Sequence, residues 1–297
     1  MTELLLGKPV AGELEARVRG LVAEGGALGL RPPTLVSVHR SGATPFAAYL
    51  GRQRKAAGRL GLRFWDVALP AEASATTLRE QLQDLGDSEE VDAVLVEHPL
   101  PSDLDFAGAL GALPPEKDVD GVGAVNQGRL VEGRPLHVPA VASAALDVLR
   151  HYGRRIAGAR VAVLGRSPTV GLPLALLLAR KGSDGDATVT LVHSATPDLA
   201  AAISGCRILV SCVGRPGLLT RSTVPRSSTV IDVGLSTVPA PSPAGGMQLA
   251  GDAVAEEMDG WAEAYTPVPG GVGPVTVAEL MWSAAKAWRM QRFPGAR

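Results

Sequence analysis

The chain has 297 residues and a net charge of −1, enough length for two domains with cores of their own and a charge balance that argues against a nucleic-acid partner. No apolar run approaches the roughly 20 residues that span a bilayer, and the N-terminus lacks the basic flank and cleavage signal of a secretory leader, so a soluble cytoplasmic protein without membrane contact is the simplest expectation. Cys206 and Cys212 sit in or beside the apolar run 208–213 and read as buried thiols rather than a disulfide or a metal pair, and no metal site is expected.

In the first half, strand and helix alternate. Leu14, Val18, Leu21 and Val22 share one helical face, and after Pro32-Pro33 residues 34–38 read as a strand. A helix follows over about 46–60, then a strand at 62–69, a helix at 76–85 and a third strand at 92–96. This β-α-β-α-β series predicts a parallel sheet. Ligands of such a sheet gather at the C-terminal ends of its strands, which is where the segments 39–45 and 97–101 fall.

A linking region over 114–139 carries Lys117-Asp118-Val119-Asp120-Gly121 and Asn126-Gln127-Gly128, and a helix is predicted over about 139–152. The second half is organised on Val161-Ala162-Val163-Leu164-Gly165-Arg166-Ser167, followed by Val170-Gly171-Leu172-Pro173 and a helix to Ala179. An apolar run, a glycine turn and a helix start make an outline phosphate site, because backbone N–H groups and the helix dipole both favour an anion there. The spacing is looser than G-x-G-x-x-G, since Ser167 stands where the second glycine would be, and a purely structural strand-turn-helix fits it equally well. The next strand, 187–192, ends in His193-Ser194 with no acid for a ribose hydroxyl. Arg166 and Ser194 suit a 2′-phosphate instead, which favours NADP over NAD. The plain alternative is a solvated loop arginine and a turn serine. Strands at 207–211 and 229–233 continue the sheet, with loops at 213–216 and 232–235 on their ends. Residues 181–186 form a polar turn, and the stretch from Tyr265 through Pro269-Gly270-Gly271 to Thr276 precedes an amphipathic helix reaching about Met290.

Lys117-Asp-Val-Asp120-Gly, Gly165-Arg-Ser-x-x-Val-Gly-x-Pro173, His193-Ser-x-Thr196, Val213-Gly-Arg-Pro-Gly217, Ile231-Asp-Val-Gly234 and Pro267-Val-Pro-Gly-Gly-Val-Gly-Pro274 occur in that order. Together they resemble the bifunctional methylenetetrahydrofolate dehydrogenase/methenyltetrahydrofolate cyclohydrolase (FolD) family over nearly the full length. The resemblance implies a two-domain α/β protein: an N-terminal α/β folate domain over 1–138 completed by the C-terminal helix 275–297, and a Rossmann-like NADP domain over 139–274 with a parallel sheet. It also implies a cleft between the domains and a homodimer serving one-carbon metabolism and purine biosynthesis. Methylenetetrahydrofolate would give up a hydride to the nicotinamide, and water would open the resulting methenyl cation to the formyl product. By the same resemblance Tyr49 and Asp120 line the folate site, with Asp120 hydrogen-bonding the pterin ring, and Pro269, Gly270 and Gly271 belong to the substrate loop. Gly165, Arg166, Ser167, Val170, Gly171, His193, Ser194, Gly214 and Leu235 would hold the cofactor.

The departures from the family pattern lie in the folate half. Gln53 stands at the position of a lysine four residues after the tyrosine, Glu97 at that of a glutamine, Phe46 at that of a serine and His98 at that of a leucine. Val122-Gly123-Ala124 replaces a Phe-His-Pro segment, and 138–141 replaces a Pro-Cys-Thr-Pro turn. A carboxamide cannot exchange a proton near neutral pH, whereas a desolvated lysine can. Arg52 is one residue early, and Lys55, two residues beyond Gln53, lies about 200° round the helix from it. The expectation is therefore an NADP-dependent methylenetetrahydrofolate dehydrogenase whose catalytic set is Tyr49, Gln53, Glu97 and Asp120 and whose cyclohydrolase step is weakened or lost. The alternatives are a fully bifunctional enzyme using Glu97 and His98, or a divergent paralogue acting on another pterin-like substrate or only binding nucleotide.

Overall fold

Strands and helices alternate through the computed structural model, which describes residues 2–41, 47–97, 106–182, 184–240 and 246–293, with the backbone alone at 47 and 48. Phe46 and His98 lie outside the described residues. A short strand β1 (Glu3–Leu4) precedes α1 (Gly7–Ala27), β2 (Thr34–Arg40), α2 (Ala47–Leu60), β3 (Arg63–Leu69), α3 (Ala75–Asp87) and β4 (Ala93–Val96). Then come α4 (Phe106–Leu110), α5 (Ala124–Val131), α6 (Ala140–His151), β5 (Arg160–Leu164), α7 (Gly171–Ala179), β6 (Thr188–Val192), α8 (Leu199–Ile203), β7 (Ile208–Ser211) and β8 (Thr229–Asp232). The series closes with β9 (Ser236–Pro239), β10 (Met247–Ala250), α9 (Ala255–Met258), β11 (Ala264–Tyr265) and α10 (Val272–Arg292). Among the described residues no helix is long and apolar enough to cross a membrane.

The chain divides into two compact units, one of Gly12–Ala140 with Val277–Arg297 and one of Met1–Ala11 with Val141–Thr276. In the first, the parallel sheet runs β3-β2-β4, as the β-α-β-α-β reading requires. Side chains alternate across a strand, so the apolar run of β2 splits between two cores. Leu35 joins Ala93 and Leu95 against Val18 and Leu21 of α1, Ala56, Ala57 and Leu60 of α2, and Leu280, Met281, Ala284 and Trp288 of α10. Val36 and Val38 join Val94, Val96 and the Leu78-Leu82-Leu85 stripe of α3. Asp92, fully buried, accepts a two-pronged bond from Arg31 and a third from Arg292, which ties the end of α10 to this unit. Paired and hydrogen-bonded in this way, a buried carboxylate is tolerated.

The Lys117–Gly121 motif is largely consumed by this architecture. Lys117 Nζ donates to Gly86 O at 2.7 Å and Ser88 O at 2.8 Å, closing the exposed carbonyls at the end of α3. Asp118 Oδ2 accepts from Gly123 N and Asn126 Nδ2, and Val119 is fully buried. Asp120 Oδ1 accepts from Ala140 N at 2.9 Å, so the side chain caps the start of α6.

In the second unit a six-stranded parallel sheet has the order β1-β11-β8-β7-β5-β6. After β5 the chain adds β6 on one side and β7 on the other, which makes the C-terminal ends of β5 and β7 the switch point where α/β sheets bind ligands. Three expectations need correction. Residues 1–11 pack with this unit, not at the head of the first domain, because the two-residue β1 pairs with β11 and is too short to show any period. The linking region holds a helix, α5, whose interior Gly128 and polar residues weaken its helical signal. Cys212 is only half-buried, unlike Cys206; both are free thiols. The antiparallel pair β9–β10 is a further element that hydrophobic periodicity did not reveal.

Candidate active site

In α2 the buried positions are Leu50, Gln53, Ala56, Ala57 and Leu60, an apolar stripe with one carboxamide in it. Tyr49 and Gln53 are four residues apart and share that face. Below them, the C-terminal half of the sheet is polar on the same side. Ser37 and His39 lie two apart on β2, Ser37 is level with Asp66 of β3, and Glu97 follows β4 with its N–H on Val38 O at 2.9 Å. Glu97 Oε1 accepts from Gln53 Nε2 at 2.7 Å and from Ser37 Oγ at 2.9 Å. Gln53 is fully buried, and its Oε1 has no hydrogen-bond partner among the described residues.

The electrostatics tie four of these groups together. Burial is the main cause that raises the Glu97 carboxyl above its usual range, partly offset by the bonds from Gln53 and Ser37 and by the charge of His39. Burial also lifts Asp120 to about 7, with Asp118 and Glu97 adding to the rise. The Tyr49 hydroxyl is held well above its ordinary range by burial first, then by the fields of Glu97 and Asp120, so it acts as a neutral donor or acceptor. Thus Tyr49, Gln53, Glu97 and Asp120, expected to act together, form one electrostatic neighbourhood within a single unit. Arg52 stacks its guanidinium over the Tyr49 ring at 5.6 Å, and Lys55 is exposed.

Sequence reading did not single out Ser37, Asp66 or Arg54. His39 Nε2 sits 2.6 Å from Asp66 Oδ1, and Arg54 Nη2 donates to Asp66 Oδ2 at 2.5 Å. The available signal was the break in β2, where Ser37 and His39 interrupt an apolar strand on one face.

In the other unit Gly165 adopts φ +112°, and a Cβ there would lie 2.8 Å from Cys212 Sγ. Gly171 opens α7 so close to the turn that a Cβ would lie 2.1 Å from Gly165 O. Only glycine fits either position. Ser167 Oγ accepts from Val170 N at 3.1 Å and stands near Gly171 N, so this serine takes part of the helix-start donor set. Leu164 pairs with Val192, and Arg166 and Ser194 each lie two residues beyond the paired ends of β5 and β6, both exposed. His193 Nδ1 accepts from Ala195 N, shaping that turn. Gly214 and the exposed Leu235 follow β7 and β8 at the same edge. The residues present therefore fit a dinucleotide: a glycine turn at the switch point, a neighbouring cation, and no carboxylate at the strand end. A cavity of about 490 Å³ lined by Arg154, Arg207 and Glu263 opens at the opposite ends of these strands, where Arg154 is already paired with Glu263 and Glu3.

Pro269, Gly270 and Gly271 form the turn into α10. Gly270 has φ +111° and accepts from Gly7 N at 2.8 Å, while a Cβ on Gly271 would meet Thr266 at 2.6 Å. This turn belongs to the nucleotide-type unit, not to the one holding Tyr49. Among the described residues no cluster of His, Cys, Asp or Glu could hold a metal ion.

Residues 5–120 match the family described as tetrahydrofolate dehydrogenase/cyclohydrolase, catalytic domain, and residues 139–292 match its NAD(P)-binding domain. The bifunctional protein FolD of Chloroflexus aurantiacus is 40% identical over 286 residues, covering 96% of this chain and 97% of its own. Among solved structures, the Trypanosoma brucei methylenetetrahydrofolate dehydrogenase-cyclohydrolase, determined with NADP cofactor and an inhibitor, is 37% identical with a TM-score of 0.91 over 99% of each chain. The methylenetetrahydrofolate dehydrogenase of the silkworm Bombyx mori is 33% identical, with a TM-score of 0.90 over 98% of this chain and 99% of its own.

Proposed function

The chain belongs to the tetrahydrofolate dehydrogenase/cyclohydrolase family, and on that premise we propose that it oxidises 5,10-methylenetetrahydrofolate to 5,10-methenyltetrahydrofolate with NADP, while the following hydrolysis to 10-formyltetrahydrofolate is weakened or lost. The observation that carries the second half is the buried Gln53 carboxamide bonded to Glu97. Hydride transfer depends chiefly on positioning, whereas hydrolysis depends on moving protons at the attacking water and the leaving nitrogen. A carboxamide offers hydrogen bonds but does not titrate near neutral pH, so it serves as neither general acid nor general base.

The unit of Gly12–Ala140 and Val277–Arg297 takes the folate. Asp120 accepts N–H donors of the pterin edge with the capacity left over from its bond to Ala140, and Tyr49 lies against the ring. The other unit takes NADP at the Gly165–Gly171 turn, with Ser167, Val170, His193, Gly214 and Leu235 around it and Arg166 with Ser194 on the 2′-phosphate. The cofactor, when bound, supplies the hydride acceptor. Pro269, Gly270 and Gly271 complete the substrate loop. The same reading makes the protein a cytoplasmic homodimer.

Initial rates with methylenetetrahydrofolate test the oxidative half. NADP should be reduced with much higher kcat/KM than NAD. Equal or better use of NAD would overturn the assignment of Arg166 and Ser194.

A further inference from the structure

Glu97 and Asp120 are buried or half-buried carboxyl groups, and neither makes an ion pair among the described residues. The cations on neighbouring elements are otherwise engaged. His39 and Arg54 both pair with Asp66, and the exposed Arg52 lies over the Tyr49 ring. Carboxylates desolvated without an ion-pair partner are costly, so a site built this way is stabilised by a positive ligand. A second observation points the same way. Gln53 Oε1 is a fully buried acceptor with no partner among the described residues, on the same carboxamide whose Nε2 touches Glu97. An unfilled acceptor beside an unpaired carboxylate is complementary to a cation or an electron-poor group and repels an anion.

Resting on the reading of this site as the folate site, we infer that Glu97 is the counter-ion of the methenyl cation, and that its carboxylate makes the protein bind the oxidised folate more tightly than neutral folates. The charge bookkeeping of the oxidation requires such a group. The C–H bond of the one-carbon bridge breaks with both electrons leaving as hydride, no proton is released, and the bridge passes from neutral to +1 while NADP loses one positive charge. A carboxylate opposite the bridge therefore interacts more strongly with product than with substrate, and with a transition state in which the charge is partly developed. The same ion pair makes the cation a poorer electrophile for water. Glu97 thus favours oxidation and opposes hydrolysis, alongside the missing amine at Gln53.

The test is equilibrium binding of two folates, the cationic 5,10-methenyltetrahydrofolate and the neutral tetrahydrofolate, to the full-length protein with NADP present. The methenyl compound is mixed from an acidic stock to pH 7.5 and read within the first second, before it hydrolyses. Glu97→Gln keeps an acceptor for Ser37 and removes the charge; it should weaken methenyl binding at least tenfold and change tetrahydrofolate binding less than threefold. Gln53→Lys, which places a cation against an intact Glu97, should give the same selective loss by neutralising the carboxylate. Equal losses for both folates in Glu97→Gln, or no selective loss in either variant, would overturn the counter-ion role while leaving the dehydrogenase reading intact. If the wild-type protein binds neither folate, both readings fall.

Discussion

Gln53 Nε2 lies 2.7 Å from Glu97 Oε1, and this bond joins the two positions at which the sequence resemblance leads one to expect a lysine and a glutamine. On that expectation, a base and an amide are here an amide and an acid. Gln53→Lys alone should then recover little hydrolysis, because a lysine against Glu97 is held as a salt-bridged cation with its pKa raised. With Glu97→Gln added, the lysine is freed for proton transfer. The double variant should hydrolyse methenyltetrahydrofolate at least tenfold faster than wild type, within the roughly 10²–10⁴-fold range of general acid–base catalysis. An inactive double variant that still folds and still reduces NADP would show that more than this pair was altered.

Asp120 accepts from Ala140 N, and the proposed folate contact would be a second role, separable from the first. Asp120→Ala removes the acceptor for Ala140 N as well as any substrate contact. It should cost about 0.5–2 kcal/mol of stability, as loss of a helix cap does, and raise the folate KM by roughly tenfold or more, as loss of a buried hydrogen-bond partner does. NADP binding should be unchanged. Asp120→Asn can still cap α6, so its Tm should stay near wild type while its folate KM rises. Wild-type turnover in either variant would remove Asp120 from the site.

The pH dependence has opposite signs for stability and for activity. Burial lifts Asp120 from 3.8 to about 7 in the folded protein, so the fold binds this proton more readily than the unfolded chain does. The stabilising contribution is complete below about pH 4 and is lost as pH rises through 7. On the proposed role of Asp120 the folate is held by the carboxylate, so kcat/KM for the folate should fall as pH drops through about 7. In Asp120→Asn both trends should flatten. A wild-type kcat/KM that is level between pH 6 and 8 would contradict the role.

Arg166 and Ser194 each follow by two residues the paired ends of the neighbouring strands β5 and β6. A guanidinium on a 2′-phosphate is a charge-assisted contact that NAD cannot make. Arg166→Gln should weaken NADP binding at least tenfold and change NAD binding by less than twofold, measured by titration of each nucleotide. Equal loss for both would make Arg166 a structural residue of the turn.

Much of this could be read from the residues because local physics and tertiary packing agree. The spacing of Leu50, Ala56, Ala57 and Leu60 defines the buried face of α2, and Gln53 falls on it by arithmetic. Val161 to Leu164 followed by Gly165 is a strand and a turn for reasons visible in five residues. The partner of Gln53 was not visible in that way. Glu97 is 44 positions away, and its second donor, Ser37, comes from a strand whose apolar run hides a polar end. β1 was missed because two residues carry no period, and its pairing with β11 spans nearly the whole chain. α5 was missed because its stability comes from packing Asn126 and Leu130, both buried, rather than from helix propensity.

The most direct measurement follows one reaction of wild-type protein with 5,10-methylenetetrahydrofolate and NADP, recording NADPH, methenyltetrahydrofolate and 10-formyltetrahydrofolate together. Methenyltetrahydrofolate should accumulate in step with NADPH and then decay to the formyl compound at the rate seen without protein. Formyl product rising in step with NADPH, well above that spontaneous rate, would contradict the account at Gln53.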